Sequence, residues 1–156
     1  LVTVARSWVG EPEYIESENS IPIEITFDDV VMLEQMTIDP PLDTVEAEDT
    51  LTFRLYWNVI EPLPYNAIVY LHINDADESL IAQLDREPLS DFRMDTWQAG
   101  QHIMSTHQIE LPDDIEPYSL SLGMYRFDEG GIIVPLGMSG DGGIDKPYSL
   151  LFNGSE

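Results

Sequence analysis

The chain has 156 residues, of which 43% are hydrophobic and 23% are charged, and it contains no cysteine. That length predicts one ordinary domain with a substantial core, and the lack of cysteine excludes disulfides, thiol nucleophiles and cysteine-based metal sites. Thirty Asp and Glu against six Lys and Arg give a formal net charge of −24. Because phosphate backbones and anionic lipids repel such a chain, we expect no nucleic-acid binding. No run approaches the roughly 20 apolar residues that a membrane span needs.

Residues 1–20 are predicted to form an apolar strand followed by an acidic linker, and residues 21–156 a β-sandwich domain. The segment LVTVARSWV at 1–9 is apolar on both faces of a strand, which makes it a poor exposed edge. The segment EPEYIESENS at 11–20 has too little apolar surface to order itself. Two alternatives stay open: the strand folds back onto its own sandwich, or it pairs with the sheet edge of a neighbouring molecule.

After residue 20, apolar residues recur at every second position, which is the period of a strand with one buried face. Clusters of Pro, Gly, Asn and Asp separate these runs, and no window longer than ten residues has a helical period. The sequence therefore predicts an all-β fold, a two-layer antiparallel β-sandwich with jelly-roll or Greek-key connections and about eight or nine strands. The clearest runs are 21–27, 51–59, 67–73 and 118–124, and weaker ones are 30–36, 80–84, 102–111, 132–136 and 148–152.

Four segments follow one another in a recognisable order: ITFDDVVMLEQM, LTFRLYWNVIEPLPYNAIVYLHINDADESLIAQLDREPL, TWQAGQHIMSTHQIELP and YSLSLGMYRFDEGGIIVPL. This succession resembles the soluble β-sandwich accessory domain of Chloroflexota-type membrane glycosyltransferases and related envelope proteins. Ser79 stands where that pattern has a hairpin glycine, and Ala99 where it has a proline. The resemblance implies a noncatalytic module that faces the outside of the cell, and it supplies no catalytic residues.

Aromatic side chains are candidates for sugar binding, because a flat ring can stack on the apolar face of a sugar. Trp57 is in phase with the apolar residues of its run and is predicted to lie in the core. The candidate ligand-binding residues are instead Trp97, Phe92 and Tyr65. In the alternative interpretation, Trp97 closes one end of the sandwich where the chain turns at residues 99 and 100.

Two acidic loops are candidates for calcium, which takes clustered oxygen ligands from loops. One contains Asp75 and Asp77, and the other is a glycine-rich loop with Asp141 and Asp145. Neither loop has the spacing of an EF-hand, and the first also has the composition of an ordinary hairpin turn. Apart from possible calcium, no cofactor is predicted.

Catalytic chemistry has little support in the sequence. With thirty acidic residues, pairs of carboxylates arise by chance, so they do not indicate a glycosidase. His102 and His107 are five residues apart, so they point to opposite faces of a strand and cannot share a metal. No serine lies in a Gly-x-Ser-x-Gly elbow. We therefore expect no enzymatic activity.

These observations predict a noncatalytic, extracytoplasmic β-sandwich module for protein–protein contact or self-assembly at the cell surface. The expected partner is then a second copy or a neighbouring envelope protein. The alternative is a carbohydrate-binding module attached to a glycosyltransferase, with a glycan as its ligand. Exposed aromatic residues along one face would favour the alternative, and pairing of residues 1–9 with another chain would favour assembly.

Overall fold

The computed structural model describes residues 6–9, 20–89, 92–140 and 148–152. In these ranges the chain forms eleven strands and two short 3-10 helices, Leu42–Thr44 and Met94–Thr96. All strand pairs are antiparallel. The strands are β1 Arg6–Val9, β2 Ser20–Phe27, β3 Val31–Asp39, β4 Thr50–Val59, β5 Ile68–Asn74, β6 Leu80–Arg86, β7 Gln101–Glu110, β8 Ser119–Phe127, β9 Ile133–Pro135, β10 Met138–Gly140 and β11 Tyr148–Leu151.

The strands form two sheets, so the predicted all-β sandwich is confirmed. The larger sheet has six strands in the order β1-β7-β4-β3-β2-β10. The smaller sheet has the order β11-β8-β5-β6, and β9 pairs with β8 beyond the stretch that β11 covers. Besides the predicted amino-terminal strand β1 and the nine predicted runs, the described part of the chain has one further short edge strand, β10.

The strand β1 lies at one edge of the larger sheet and β2 lies near the other. Arg6 pairs with Met104 and Val9 pairs with Gln101, both on β7 of the same chain. This pairing corresponds to the alternative in which the amino-terminal strand folds back onto its own sandwich. Residues 10–19, which contain most of the predicted acidic linker, lie outside the described residues.

The core lies between the inner faces of the two sheets. In β4 and β5 every second residue is fully or almost fully buried, which produces the period of two in the sequence. Trp57 is 0% exposed, as predicted, and its ring centroid lies 6.2 Å from that of Phe27 and 6.3 Å from that of Trp97. Its indole N–H donates a hydrogen bond of 3.0 Å to the Ser105 hydroxyl. Trp57 therefore contacts residues from three other parts of the sandwich.

We expect Trp57→Ala to lower the free energy of unfolding by about 3–5 kcal/mol, because it leaves a large cavity and removes the donor to Ser105. Urea unfolding followed by far-ultraviolet circular dichroism measures the change. The matched control is Ile132→Ala, which alters a residue that is 65% exposed and should change stability by no more than about 0.5 kcal/mol. Equal losses in the two variants would contradict the central role of Trp57.

Candidate functional site

The sequence-predicted platform residue Trp97 is buried, with only 1% of its surface exposed. Its ring packs 6.2 Å from that of Phe92, and its indole N–H donates a 3.0 Å hydrogen bond to the Phe92 carbonyl. Phe92 is itself half-buried against the core. This burial contradicts the interpretation of Trp97 as a sugar platform, because a platform ring must be exposed to its ligand. The alternative, in which Trp97 closes one end of the core, agrees with its burial.

Tyr65 lies in a different place, on an open pocket of about 490 Å³ that Asp28 and Asp29 also line. Its hydroxyl donates a hydrogen bond to the Asp28 carboxylate, and the Arg126 guanidinium lies 5.1 Å above its ring. Burial and the Asp28 carboxylate raise the pKa of Tyr65, so the hydroxyl stays protonated. Because both the ring and the hydroxyl already have partners, Tyr65 does not extend a platform with Trp97 and Phe92.

The predicted calcium loop at Asp75 is the turn of the β5–β6 hairpin. One carboxylate oxygen of Asp75 accepts hydrogen bonds of 2.9 Å from the backbone N–H groups of Asp77 and Ser79. Glu78 has the positive φ of 64° that closes such a turn. This oxygen is occupied by the turn, and no group of three or more His, Asp or Glu residues in the described ranges is arranged to hold a metal. Asp141 and Asp145 lie outside the described residues.

The strongest candidate site is the outer face of the smaller sheet. In β5 the residues Val69, Leu71 and Ile73 point into the core, so the residues between them point outward. We call the outward set the aromatic face. It consists of Tyr70 and His72 on β5, Gln83 and Asp85 on β6, and Tyr125 and Phe127 on β8.

The rings of the aromatic face form one continuous row. The centroid of Tyr70 lies 4.7 Å from that of His72 and 6.3 Å from that of Tyr125. Tyr125 in turn lies 5.7 Å from Phe127 in an edge-to-face arrangement. The row therefore crosses the sheet from β5 to the end of β8, where Phe127 is 54% exposed.

A glycine allows the row to form. Gly123 on β8 pairs with Tyr70 on β5, and a Cβ atom at Gly123 would lie 2.3 Å from the Tyr70 hydroxyl oxygen. The hydroxyl end of the Tyr70 ring therefore occupies the space that a side chain at position 123 would fill, and the ring lies 6.3 Å from that of Tyr125. An aromatic ring that covers a cross-strand glycine is a recurrent way to fix a side chain on a sheet. Any larger residue at position 123 would displace Tyr70.

The Asp85 carboxylate supplies the polar centre of the aromatic face. One of its oxygens lies 2.9 Å from the His72 Nε2, and the other accepts a 3.0 Å hydrogen bond from the Tyr125 hydroxyl. Burial raises the pKa of Tyr70, and burial together with the Asp85 hydrogen bond raises that of Tyr125. Both tyrosines therefore stay protonated and can donate hydrogen bonds at neutral pH.

The aromatic face was missed by sequence reasoning. The available signal was two tyrosines in the outward phase of strands whose other phase is apolar. The sequence does not give the register that sets Tyr70 opposite Gly123 and Asp85. Without that register the two tyrosines cannot be assigned to one row.

The chain also contains a serine and a histidine at the spacing of a nucleophile and its base. The Ser105 hydroxyl lies 2.9 Å from the His107 Nε2, and such contacts activate nucleophiles in enzymes. However, Ser105 is 0% exposed and His107 is 3% exposed, so both lie within the core beneath Trp57. His102, on the other face of β7 as predicted, lies 3.5 Å from the Glu34 carboxylate. The Ser105–His107 pair is structural in this arrangement because its hydroxyl is enclosed.

Comparison with protein-family models, with curated proteins and with solved structures finds no match to this chain. None of the described residues belongs to a helix long and apolar enough to cross a membrane.

Burial of His107 predicts an acid-sensitive fold. Desolvation, with a smaller contribution from the Arg86 guanidinium, lowers the pKa of His107 from 6.5 to about 4. When the pH falls from about 7 to 5, the unfolded chain takes up a proton at this residue and the folded chain does not. This difference lowers the free energy of unfolding by about 2 kcal/mol.

Urea unfolding of the original chain and of His107→Leu at both pH values measures this contribution. Carboxylates titrate in both proteins, so their effect cancels in the comparison. The variant should lose less stability on acidification than the original chain. Two proteins with the same pH dependence would contradict the assignment to His107.

Proposed function

We propose that this chain is a noncatalytic β-sandwich module that binds glycans on its aromatic face. The single observation that carries the proposal is the row of Tyr70, Tyr125 and Phe127 beside the Asp85 carboxylate. A sugar ring has an apolar face of C–H groups and a rim of hydroxyls. A ligand of that kind needs flat apolar surface and hydrogen-bonding groups at the edge of that surface.

The aromatic face offers both requirements on a rigid support. Tyr70 and Tyr125 lie 6.3 Å apart with an interplanar angle of 32°, so a sugar can stack across these two rings. Phe127, whose plane is at 88° to that of Tyr125, adds apolar contact at the end of the row. Asp85 accepts hydrogen bonds, and Gln83 on β6 is exposed beside it and can both donate and accept. The rings lie on paired strands rather than on loops, which limits the entropy lost on binding.

The resemblance to accessory domains of membrane glycosyltransferases supports the same proposal from the sequence. That resemblance implies a module that faces the outside of the cell, and we propose that it contacts glycans there. The transferase chemistry lies elsewhere in such proteins. The aromatic face is open on one side, so it suits contact with a long chain better than enclosure of a reacting bond.

A second candidate function, assembly by strand exchange, is favoured by the position of β1. Strand β1 pairs with β7, whereas the next strand, β2, lies three strands further across the sheet. All pairing of β1 is therefore with strands distant in sequence. Ten residues connect β1 to β2, and at about 3.3 Å per residue they can reach a neighbouring molecule. Exchange of β1 between copies would preserve every pair that β1 makes within one chain.

Glycan binding is tested with a panel of uncharged hexasaccharides built from β-linked glucose, mannose or N-acetylglucosamine. We expect at least one to bind the original chain in isothermal titration calorimetry. Tyr70→Leu/Tyr125→Leu keeps apolar cover over Gly123 but removes the flat rings, and it should weaken binding at least about tenfold, or about 1.4 kcal/mol.

The matched control is Ile60→Ala, which alters an exposed apolar residue next to the larger sheet. It should leave glycan binding unchanged. Thermal melting of each variant establishes that the sandwich remains folded. The proposal fails if no hexasaccharide binds the original chain, or if the double tyrosine variant binds as tightly as the original.

Strand exchange is tested by deletion of residues 1–10 and measurement of molecular mass by light scattering. If copies exchange β1, the original chain forms dimers or larger assemblies, and the deletion converts them to monomers. A chain that is monomeric before and after deletion, with only a lower melting temperature, would exclude this function. The deletion leaves the aromatic face intact, so its result is independent of the glycan test.

A further inference from the structure

The Asp85 carboxylate has hydrogen-bonding capacity beyond the contacts that it makes within the protein. An ionised carboxylate has about four acceptor positions. His72 and Tyr125 each contact one oxygen, at 2.9 and 3.0 Å. The Asp85 side chain is 27% exposed and the His72 side chain is 31% exposed, so the remaining acceptor positions are open to a ligand.

The charges around the aromatic face are unfavourable for anions. The two arginines of the smaller sheet, Arg86 and Arg126, are out of phase with Asp85 and Tyr125 and so do not belong to this face. Arg126 instead lies over the ring of Tyr65. Within the described part of the chain, Asp85 therefore has no arginine beside it on the face, and the chain as a whole carries −24. A cationic group is the natural complement to this surface.

The rings beside Asp85 also favour a cation. A cationic group within about 6 Å of a tyrosine ring is attracted to the negative face of that ring. Tyr70 and Tyr125 are neighbours at 6.3 Å, and Tyr125 contacts Asp85 directly. A sugar stacked on these rings would place a substituent of its edge near the carboxylate. An ammonium group in that position donates hydrogen bonds to Asp85 and lies against the rings.

We propose that the aromatic face selects glycans that carry free amino groups, with Asp85 as the residue that determines this preference. The inference rests on the proposed glycan-binding function and adds the class of ligand. A hexamer of β-linked glucosamine should bind more tightly than the corresponding hexamer of N-acetylglucosamine, whose amides are uncharged. Polyuronates, which carry a carboxylate on each sugar, should bind least.

Isothermal titration calorimetry with the two hexamers tests the preference at about 0.15 M salt, where the Debye length is about 8 Å and distant charges are screened. We expect the glucosamine hexamer to bind about tenfold more tightly. Asp85→Asn keeps the shape of the side chain and should reduce the preference to about twofold or less, while N-acetylglucosamine binding changes little. The control Asp43→Asn removes the same charge from an exposed position in the 3-10 helix between β3 and β4 and should retain the tenfold preference.

A second variant keeps the test decisive if Asp85→Asn disturbs the fold. Gln83 is exposed and pairs with His72 across the sheet, so Gln83→Lys adds a positive charge beside the carboxylate. This variant should also abolish the preference for the glucosamine hexamer. Hexalysine serves as a cationic probe without sugar rings, and it should bind the original chain more weakly than the glucosamine hexamer.

Each outcome separates this inference from the function on which it rests. Equal binding of the two hexamers would overturn the amino-sugar preference and leave glycan binding in place. Equal effects of Asp85→Asn and Asp43→Asn, or hexalysine binding as tight as that of the glucosamine hexamer, would reduce the preference to bulk charge and overturn it as well. Failure of every uncharged hexasaccharide to bind would instead reject the proposed function.

Discussion

The burial of Trp57 is the interaction on which the sandwich depends. Its ring lies against Phe27 of β2 and against Trp97 from the segment before β7, and its N–H bonds to Ser105 on β7. One side chain thus links β4 with β2, with β7 and with the segment that closes one end of the core. A polar indole N–H at 0% exposure must have an acceptor, because an unpaired buried donor costs about 1–3 kcal/mol.

The acceptor for Trp57 introduces further polar atoms into the core. Ser105 accepts the indole hydrogen bond and also contacts His107, whose other ring nitrogen, Nδ1, has no partner in the described structure. A neutral imidazole tolerates this position far better than a charged one, and for that reason burial lowers the pKa of His107. The buried series of polar contacts from Trp57 through Ser105 therefore ends at the His107 imidazole, whose protonation is unfavourable in the core. In a chain with thirty acidic residues, acidification reduces the repulsion between carboxylates, which favours the folded state. It also protonates this histidine in the unfolded chain, which disfavours the folded state.

The fold could be predicted from the sequence because its main signal is local. Alternation in the runs that became β4, β5 and β8 assigns each residue to the core or to the outside without knowledge of the partner strand. The short strand β10 lacked such a signal, since Ser139 and Gly140 have the composition of a turn. They form a strand because they pair with Thr26 and Ile25, far away in sequence.

The candidate site depended on information that alternation does not contain. Trp97 and Tyr70 both belong to segments that sequence reasoning recognised, yet Trp97 is buried and Tyr70 lies on the outer face. The position of Trp97 is determined by a loop that folds over the end of the core. The position of Tyr70 is determined by the glycine across the strand, which leaves room for its ring. The presence of an aromatic residue in a segment does not indicate whether its ring is buried or exposed, because burial depends on register and loop packing.

The charge of the chain and the chemistry of the aromatic face act on different features of a ligand. Repulsion from a net charge of −24 opposes any acidic partner, whether it is a protein, a nucleic acid or a polyuronate, and this repulsion weakens as salt is added. Stacking on Tyr70 and Tyr125 depends on apolar contact and is largely insensitive to salt. Under the proposed function, an uncharged glycan stacks on the rings and hydrogen-bonds to the Asp85 carboxylate, whereas an amino-substituted one also gains from the charge of that carboxylate. A protein partner of the same acidic character would have to overcome repulsion over its whole surface before it reached the rings. Under the proposed function, the aromatic face therefore suits a glycan better than an acidic protein.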